Sequence, residues 1–191
     1  DGSIRSNGHM MLQGSSVKVD GTVSYGGTPN ISNKVEADEI VKDTKIVPSG
    51  LPFGVADFAP GGKYSADPDY QFVNGNWNPK YAAPGIYYVT GNVTISSSKV
   101  DIRGLTIVAT GTVTISGSKA RLSPFRADLP TVLAGGGACH QAAINVSGSE
   151  TEWDGLLAAP NGLVQVNGSK SRGGQILALG IQVSGSDIRF D

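Results

Sequence analysis

With a single cysteine, Cys139, the chain cannot build an intramolecular disulfide framework. That thiol sits in Ala138-Cys139-His140 and reads as a small, partly buried side chain rather than a reactive nucleophile. Charge is also scarce. Only 16% of residues are charged, 15 Lys and Arg balance 16 Asp and Glu, and the net charge is −1. No basic stripe is visible, which argues against nucleic acid and against an anionic membrane surface as partners. Aromatic residues make up 7% of the chain, and no apolar run approaches the roughly 18 residues a transmembrane helix needs. No signal peptide opens the sequence at Asp1, so an export or anchoring segment is expected outside it, and contact with a membrane only through that segment. Of the two histidines, His9 lies in a turn and His140 has only Cys139 beside it, so neither suggests a metal centre.

What the chain does have is glycine, 27 of them, and a repeat. Gly91-Asn92-Val93-Thr94-Ile95-Ser96-Ser97-Ser98-Lys99 returns as Gly111-Thr112-Val113-Thr114-Ile115-Ser116-Gly117-Ser118-Lys119. Shorter versions follow at Ile144–Ser149, Val164–Ser169 and Ile181–Ser186. Each holds two β-branched residues around a polar one and then a small polar turn, the pattern of a half-buried strand and a sharp corner. From the middle of each turn (Ser97, Gly117, Gly148, Gly168, Gly185) the steps are 20, 31, 20 and 17 residues by subtraction. Strand-and-turn units recurring at about 20 residues predict a β-solenoid. Ile95, Ile115, Val146, Val166 and Val183 hold the same place before each corner and are expected to form one inward stack. A second set of strands alternates with the first: Leu105–Ala109, Gly155–Ala159 and Gln175–Leu179, mostly continuous apolar runs suited to cover on both faces.

A single domain, 1–191, accommodates all of this. Residues 1–25 read as the first coils, with apolar pairs cut by Asn7-Gly8, Gly14-Ser15 and Asp20-Gly21. Residues 26–85 break the rhythm. Glu36 to Asp43 is the only charge-rich run and reads as solvated strand or loop. Pro48, Pro52, Pro60, Pro68, Pro79 and Pro84 then accompany Phe53, Phe58, Tyr64, Tyr70, Phe72 and Trp77. Such proline density predicts an irregular insertion, with one short helix within 55–66, whose aromatics cover a flank or open end of the stack. Residues 86–191 carry the main coils, with a loop from Pro124 to His140 accounting for the 31-residue step.

Pro84–Ile95, Leu105–Gly111, Gly155–Gly162, Val183–Ser186, the opening Ile4–Gly8 and Ala56–Gly62 resemble the solenoid ectodomains of bacterial tight-adherence (Flp) pilus-assembly and PilX-like accessory proteins. Bactofilin-like polymer-forming domains are more distant in style. The resemblance implies a right-handed parallel β-helix at the bacterial surface or in the cell envelope. It also implies other envelope or pilus proteins as partners, with surface glycans a further candidate. It brings no catalytic residues and no cofactor.

The residues themselves also bear on three other functions. A polysaccharide lyase or hydrolase needs two carboxylates across the scissile bond. Asp67 and Asp69 are two apart, and Asp101, Asp154 and Asp187 fall near corners, but no paired motif stands out. A calcium site at Asp67-Pro68-Asp69 would need further oxygen ligands. An ice- or mineral-binding face would use Thr94, Thr112 and Thr114, yet Asn145, Gln165 and Gln182 take over at the equivalent place. Asn30, Asn92, Asn145 and Asn167 fit the glycosylation acceptor pattern, which arises by chance in such repeats. Asp187, Arg189 and Asp191 alternate on the last strand and are expected to discourage open-ended stacking there. The expected function is a non-catalytic structural module.

Overall fold

Apolar pairs interrupted every few residues by Ser, Asn or Gly can form only short strands, and most strands here are short. The computed structural model describes residues 2–42, 51–138 and 141–191. Along the N-terminal part run β1 (Ile4–Ser6), β2 (Met10–Leu12), β3 (Val17–Tyr25), β4 (Pro29–Ile31) and β5 (Val35–Lys42). After a 3-10 turn at Val55–Phe58 come β6 (Tyr70–Val73), β7 (Gly85–Val89), β8 (Val93–Ile95), β9 (Asp101–Ile102), β10 (Leu105–Ala109) and β11 (Val113–Ile115). The rest are β12 (Arg121–Leu122), β13 (Val132–Ala134), β14 (Ala142–Val146), β15 (Glu152–Val166), β16 (Arg172–Val183) and β17 (Ile188–Phe190). The protein is all-β, and every pairing between these strands is parallel.

Three parallel ladders organise the strands, each tier of the stack contributing one segment to each. Ladder B carries the repeat that dominates the sequence: Ile95, Ile115, Val146, Val166 and Val183 lie in register, followed by Leu12 and Ile31. The first five are at most 1% exposed. Ladder A takes the apolar set, with Tyr87, Ile107, Val132, Leu157, Ile176, Ile4, Val23 and Ile40 in one row. Ladder C, which the sequence reading did not separate, runs through Ile102, Leu122, Trp153, Gly173, Phe190, Val19 and Ala37. Here size alternates. Trp153, 2% exposed, fills the space over Gly173, where a Cβ would come within 1.9 Å of the indole, and meets Phe190 edge-on at 5.9 Å.

The stacking order differs from the chain order. Residues 2–25 were expected to be the first coils, but they do not precede the Gly85 tier. Instead Ile4 pairs with Ile176, Met10 with Ile181 and Val17 with Ile188, so the N-terminal segment sits on the C-terminal tier. The joint is hydrogen bonded as elsewhere in the stack: Ile181 N donates to His9 O (3.0 Å), Ile188 N to Ser16 O (3.0 Å) and Gln13 N to Val183 O (2.8 Å). Strand β17, which holds Arg189 and is flanked in the chain by Asp187 and Asp191, is therefore an interior rung between β16 and β3, and these charges guard no open end. The described ends of the stack are β4 and β5 on one side, β6 and Trp77 on the other.

The irregular insertion is narrower than 26–85. Its first third, β4 and β5, adds rungs to all three ladders, and the charge-rich run becomes the exposed edge strand β5. At the other limit β6 pairs with β7, and Trp77 bridges to Val93 while stacking on Tyr87 at 4.6 Å. The helix expected within 55–66 is the single 3-10 turn, held by the Asp57 carboxylate accepting from Gly54 N (2.6 Å). Phe53 and Phe58 lie against the outward side chains of ladder A, Ile86, Tyr88, Val108, Leu133 and Ala158, forming a second apolar cluster. Covered from both sides, ladder A strands can be apolar at every position. The loop expected from Pro124 to His140 is two excursions around β13, whose Val132, Leu133 and Ala134 keep the register of ladder A. Cys139, His140, Asp43 and Pro48 lie outside the described residues.

At the corner after ladder B, glycine and the left-handed backbone fall on different residues. The residues with positive φ are Lys99, Lys119, Glu150, Lys170 and Asp187, at 53–59°, each following a Ser-Ser-Ser, Ser-Gly-Ser or Asn-Gly-Ser segment. The N–H of Lys99, Lys119, Glu150 and Lys170 donates to a serine carbonyl of the next tier at 2.7–2.8 Å. The glycines serve close approach instead. A Cβ on Gly117, Gly148, Gly168 or Gly185 would lie 1.8–2.2 Å from the carbonyl oxygen of the residue stacked before it. Their backbones are not among the positive-φ set. A glycine column therefore lets successive corners stack at the strand spacing.

Candidate functional site

Outward side chains of ladder C gather most of the ionisable groups that the stack brings together. In register they read Asp101, Arg121, Glu152, Arg172, Arg189, Lys18 and Glu36. Consecutive rungs lie about 4.8 Å apart, so opposite charges adjoin from Asp101 to Arg172 and again at Lys18 and Glu36, while Arg172, Arg189 and Lys18 follow one another as like charges. The sequence did hold this signal: from Asp101 to Arg121, Glu152, Arg172 and Arg189 the steps are 20, 31, 20 and 17, the intervals of the Ser-Gly-Ser corners. It was missed because each segment on ladder C spans two or three residues and shows no alternation of its own.

Five members of this row are paired, one pair within the row and the others with carboxylates or an arginine beside it. Arg103 forks onto Asp101, with Nε at 2.9 Å from Oδ1 and Nη2 at 2.6 Å from Oδ2. Arg121 meets Glu152 at 3.2 Å, Lys18 meets Asp20 at 2.7 Å, and Arg172 pairs with Asp191. The hydrogen bond from Arg103 holds the Asp101 carboxyl down at about 2. Lys18 lowers Asp20 in the same manner, and the carboxylates raise Arg103, Arg172 and Lys18. Beside the ladder, Glu152, Asp154, Arg172 and Asp191 rim a depression of about 330 Å³ with Gly155, Gly173 and Gly174 among its lining. A general acid for glycoside cleavage needs a carboxyl whose pKa is raised. The shifts at Asp101 and Asp20 run the other way, toward permanently charged carboxylates.

The other candidates are dispersed. Asp67 is engaged by Arg126, whose guanidinium donates to Oδ2 at 2.5 Å, while Oδ1 accepts from Asp69 N at 3.1 Å. Those two bonds, the arginine first, lower its pKa and tie the 51–69 excursion to the loop before β13. Among the described residues no three His, Cys, Asp or Glu side chains converge as a metal site. Asp154 lies on the rim of the depression, and Asp187 at a corner of the opposite edge of ladder C. Thr94 and Thr114 do stand in register, and Asn145, Gln165, Gln182, Met11 and Asn30 continue their row, so no extended threonine array forms. Asn92 uses its side-chain oxygen to accept from Thr112 N at 2.9 Å, as a corner residue.

The two described ends of the stack carry residues that disfavour further pairing. Pro29 on β4 lacks the amide a neighbour would need. Lys42 continues the row formed by Ala178, Ser6 and Tyr25, placing a cation where the interior has small or apolar side chains. At the opposite end, exposed Gln71 continues the row of Tyr87 and Ile107. No helix among the described residues is long and apolar enough to cross a membrane. Against known proteins, no family model, no curated protein and no solved structure matches this chain.

Proposed function

We propose that the stack is a right-handed parallel β-helix acting as a rigid, non-catalytic module of a bacterial cell envelope, engaged in pilus assembly or surface adhesion. The observation that carries this reading is the charged ladder. Its carboxylates pair with Arg and Lys, Arg121–Glu152 and Arg172–Asp191 across tiers and Arg103–Asp101 and Lys18–Asp20 within one, and the lowered Asp101 and Asp20 are poorly tuned for acid catalysis. Resemblance of the repeat text to tight-adherence accessory ectodomains supplies the location and the class of partner, other envelope or pilus proteins. Pro29, Lys42 and Gln71 at the ends support a discrete module over a filament grown by end stacking.

Two experiments test the reading. Surface labelling of the producing bacterium should find the protein outside the cytoplasmic membrane, and deleting its gene should reduce piliation or adhesion. Purified protein should leave a panel of polysaccharides intact. Cytoplasmic retention with unchanged piliation would remove the envelope role. Turnover lost on Asp154→Asn would replace the structural role with an enzymatic one.

A further inference from the structure

The joint between the first and last tiers brings together segments 172 residues apart, Ile4 on Ile176, whereas the other ladder contacts link neighbouring tiers of the chain. Residues 2–42 form a unit with its own pairings, β1–β3, β2–β4 and β3–β5, and its strands meet the remaining strands only through β1–β16, β2–β16 and β3–β17. The surfaces that meet are apolar on both sides: Ile4, Met10, Leu12, Val17 and Val19 against Ile176, Ile181, Val183, Ile188 and Phe190, each at most 1% exposed. We propose that this joint is exchangeable between molecules: residues 2–42 of one copy seat on the Arg172–Phe190 tier of a second copy, making the second copy the partner of this surface.

Two features favour the joint over the ends as the route of self-association. It already supplies a complete ladder of parallel hydrogen bonds to a segment that is not its chain neighbour. The ends instead present Pro29, Lys42 and Gln71, which spoil a ladder or an apolar row. Because the two surfaces of the joint are different, exchange is heterologous and yields closed dimers or open chains according to how the links cross.

The inference does not depend on the envelope reading and survives its failure. It is tested on the full chain carrying Cys139→Ser. Arg5 and Leu177 are register partners, with backbone spacing that suits a disulfide. One preparation carries Arg5→Cys, the other Leu177→Cys, and they are mixed in mild denaturant, returned to buffer and oxidised. A disulfide-linked heterodimer is expected, its ratio to monomer rising about tenfold for a tenfold rise in protein concentration. A chain carrying both substitutions should close on itself in dilute solution, which certifies the fold and the register. Efficient closure in that chain with no heterodimer at any concentration would overturn exchange. Heterodimers from a Lys42→Cys and Val73→Cys mixture, with none from the joint pair, would transfer self-association to the ends.

Discussion

Replacing Gly148 by alanine isolates the tier spacing better than any core truncation. The added methyl would sit 2.1 Å from the carbonyl oxygen of Gly117 and 3.0 Å from Thr151 Oγ1. Neither can retreat easily: Gly117 is itself locked, its N–H donating to Ile95 O at 3.1 Å, and Thr151 is fully buried. Inserting a methyl into a packed site costs about 1–3 kcal/mol, and a main-chain obstacle places this one near 3 kcal/mol. With a urea m-value of about 3 kcal/mol/M the midpoint should fall by about 1 M, and the thermal midpoint by about 6–12 °C. Asparagine tells the two roles of glycine apart. It accepts left-handed backbone, so Gly148→Asn would be mild if φ were the reason for glycine, and is expected to cost as much as alanine because proximity is. Lys119, at φ 59°, is the converse: Lys119→Gly should cost no more than about 0.5 kcal/mol, since relief of left-handed strain offsets the added chain entropy. A harmless Gly148→Ala, or a harmful Lys119→Gly, would refute this division of labour.

Other perturbations reach the ladders separately. Ile115→Ala empties an interior position between Ile95 and Val146 and should cost about 2–5 kcal/mol in equilibrium unfolding; a loss below about 0.5 kcal/mol would mean the register is wrong. Trp153→Ala should cost about 3–5 kcal/mol. Gly173→Ala should also destabilise, but less in a Trp153→Ala background, where the added methyl meets a cavity; additive losses would contradict the packing of the pair. Asp101, held at about 2 against 3.8 when free, adds stability that is full above pH 3.8 and lost as pH falls toward 2. Being half exposed, the pair contributes at most about 1 kcal/mol. The difference in stability between the protein and Asp101→Asn should shrink over that window, and a difference that persists at pH 2 would count against the pairing.

Ladder B was legible because its strands alternate and end at a fixed text, and ladder A because residues covered on both sides need no polar positions. Ladder C was not. Its segments are two or three residues long, and Trp153 beside Gly173 hides a shared row, since the pair is complementary in size rather than alike. Only the repeated 20, 31, 20 and 17 spacing betrays it. Close approach at the corner glycines is not legible either, because dipeptide rules see φ and cannot see the carbonyl of a residue 20 or 31 positions away. The same blindness concealed the stack order. Nothing local in Ser3–Tyr25 says whether those strands lie before Gly85 or after Phe190, since a rung in a parallel ladder presents the same pattern to either neighbour. The charge ladder suffers likewise: Arg121 and Glu152 acquire each other as partners only when tiers are stacked.

The closure of the N-terminal tiers onto the C-terminal tier can be tested by circular permutation. A Cβ on Gly2 would fall 2.3 Å from Asp191 N, so the two residues abut. A chain that begins at Leu51, passes from Asp191 through a short Gly/Ser linker to Gly2, and stops at Lys42 would thread the tiers in their stacking order. It should fold with the same circular-dichroism spectrum, and its urea midpoint should lie within about 0.3 M of the parent, a change of about 1 kcal/mol. A permutant that remains unfolded, while the parent refolds in the same buffer, would contradict the closure.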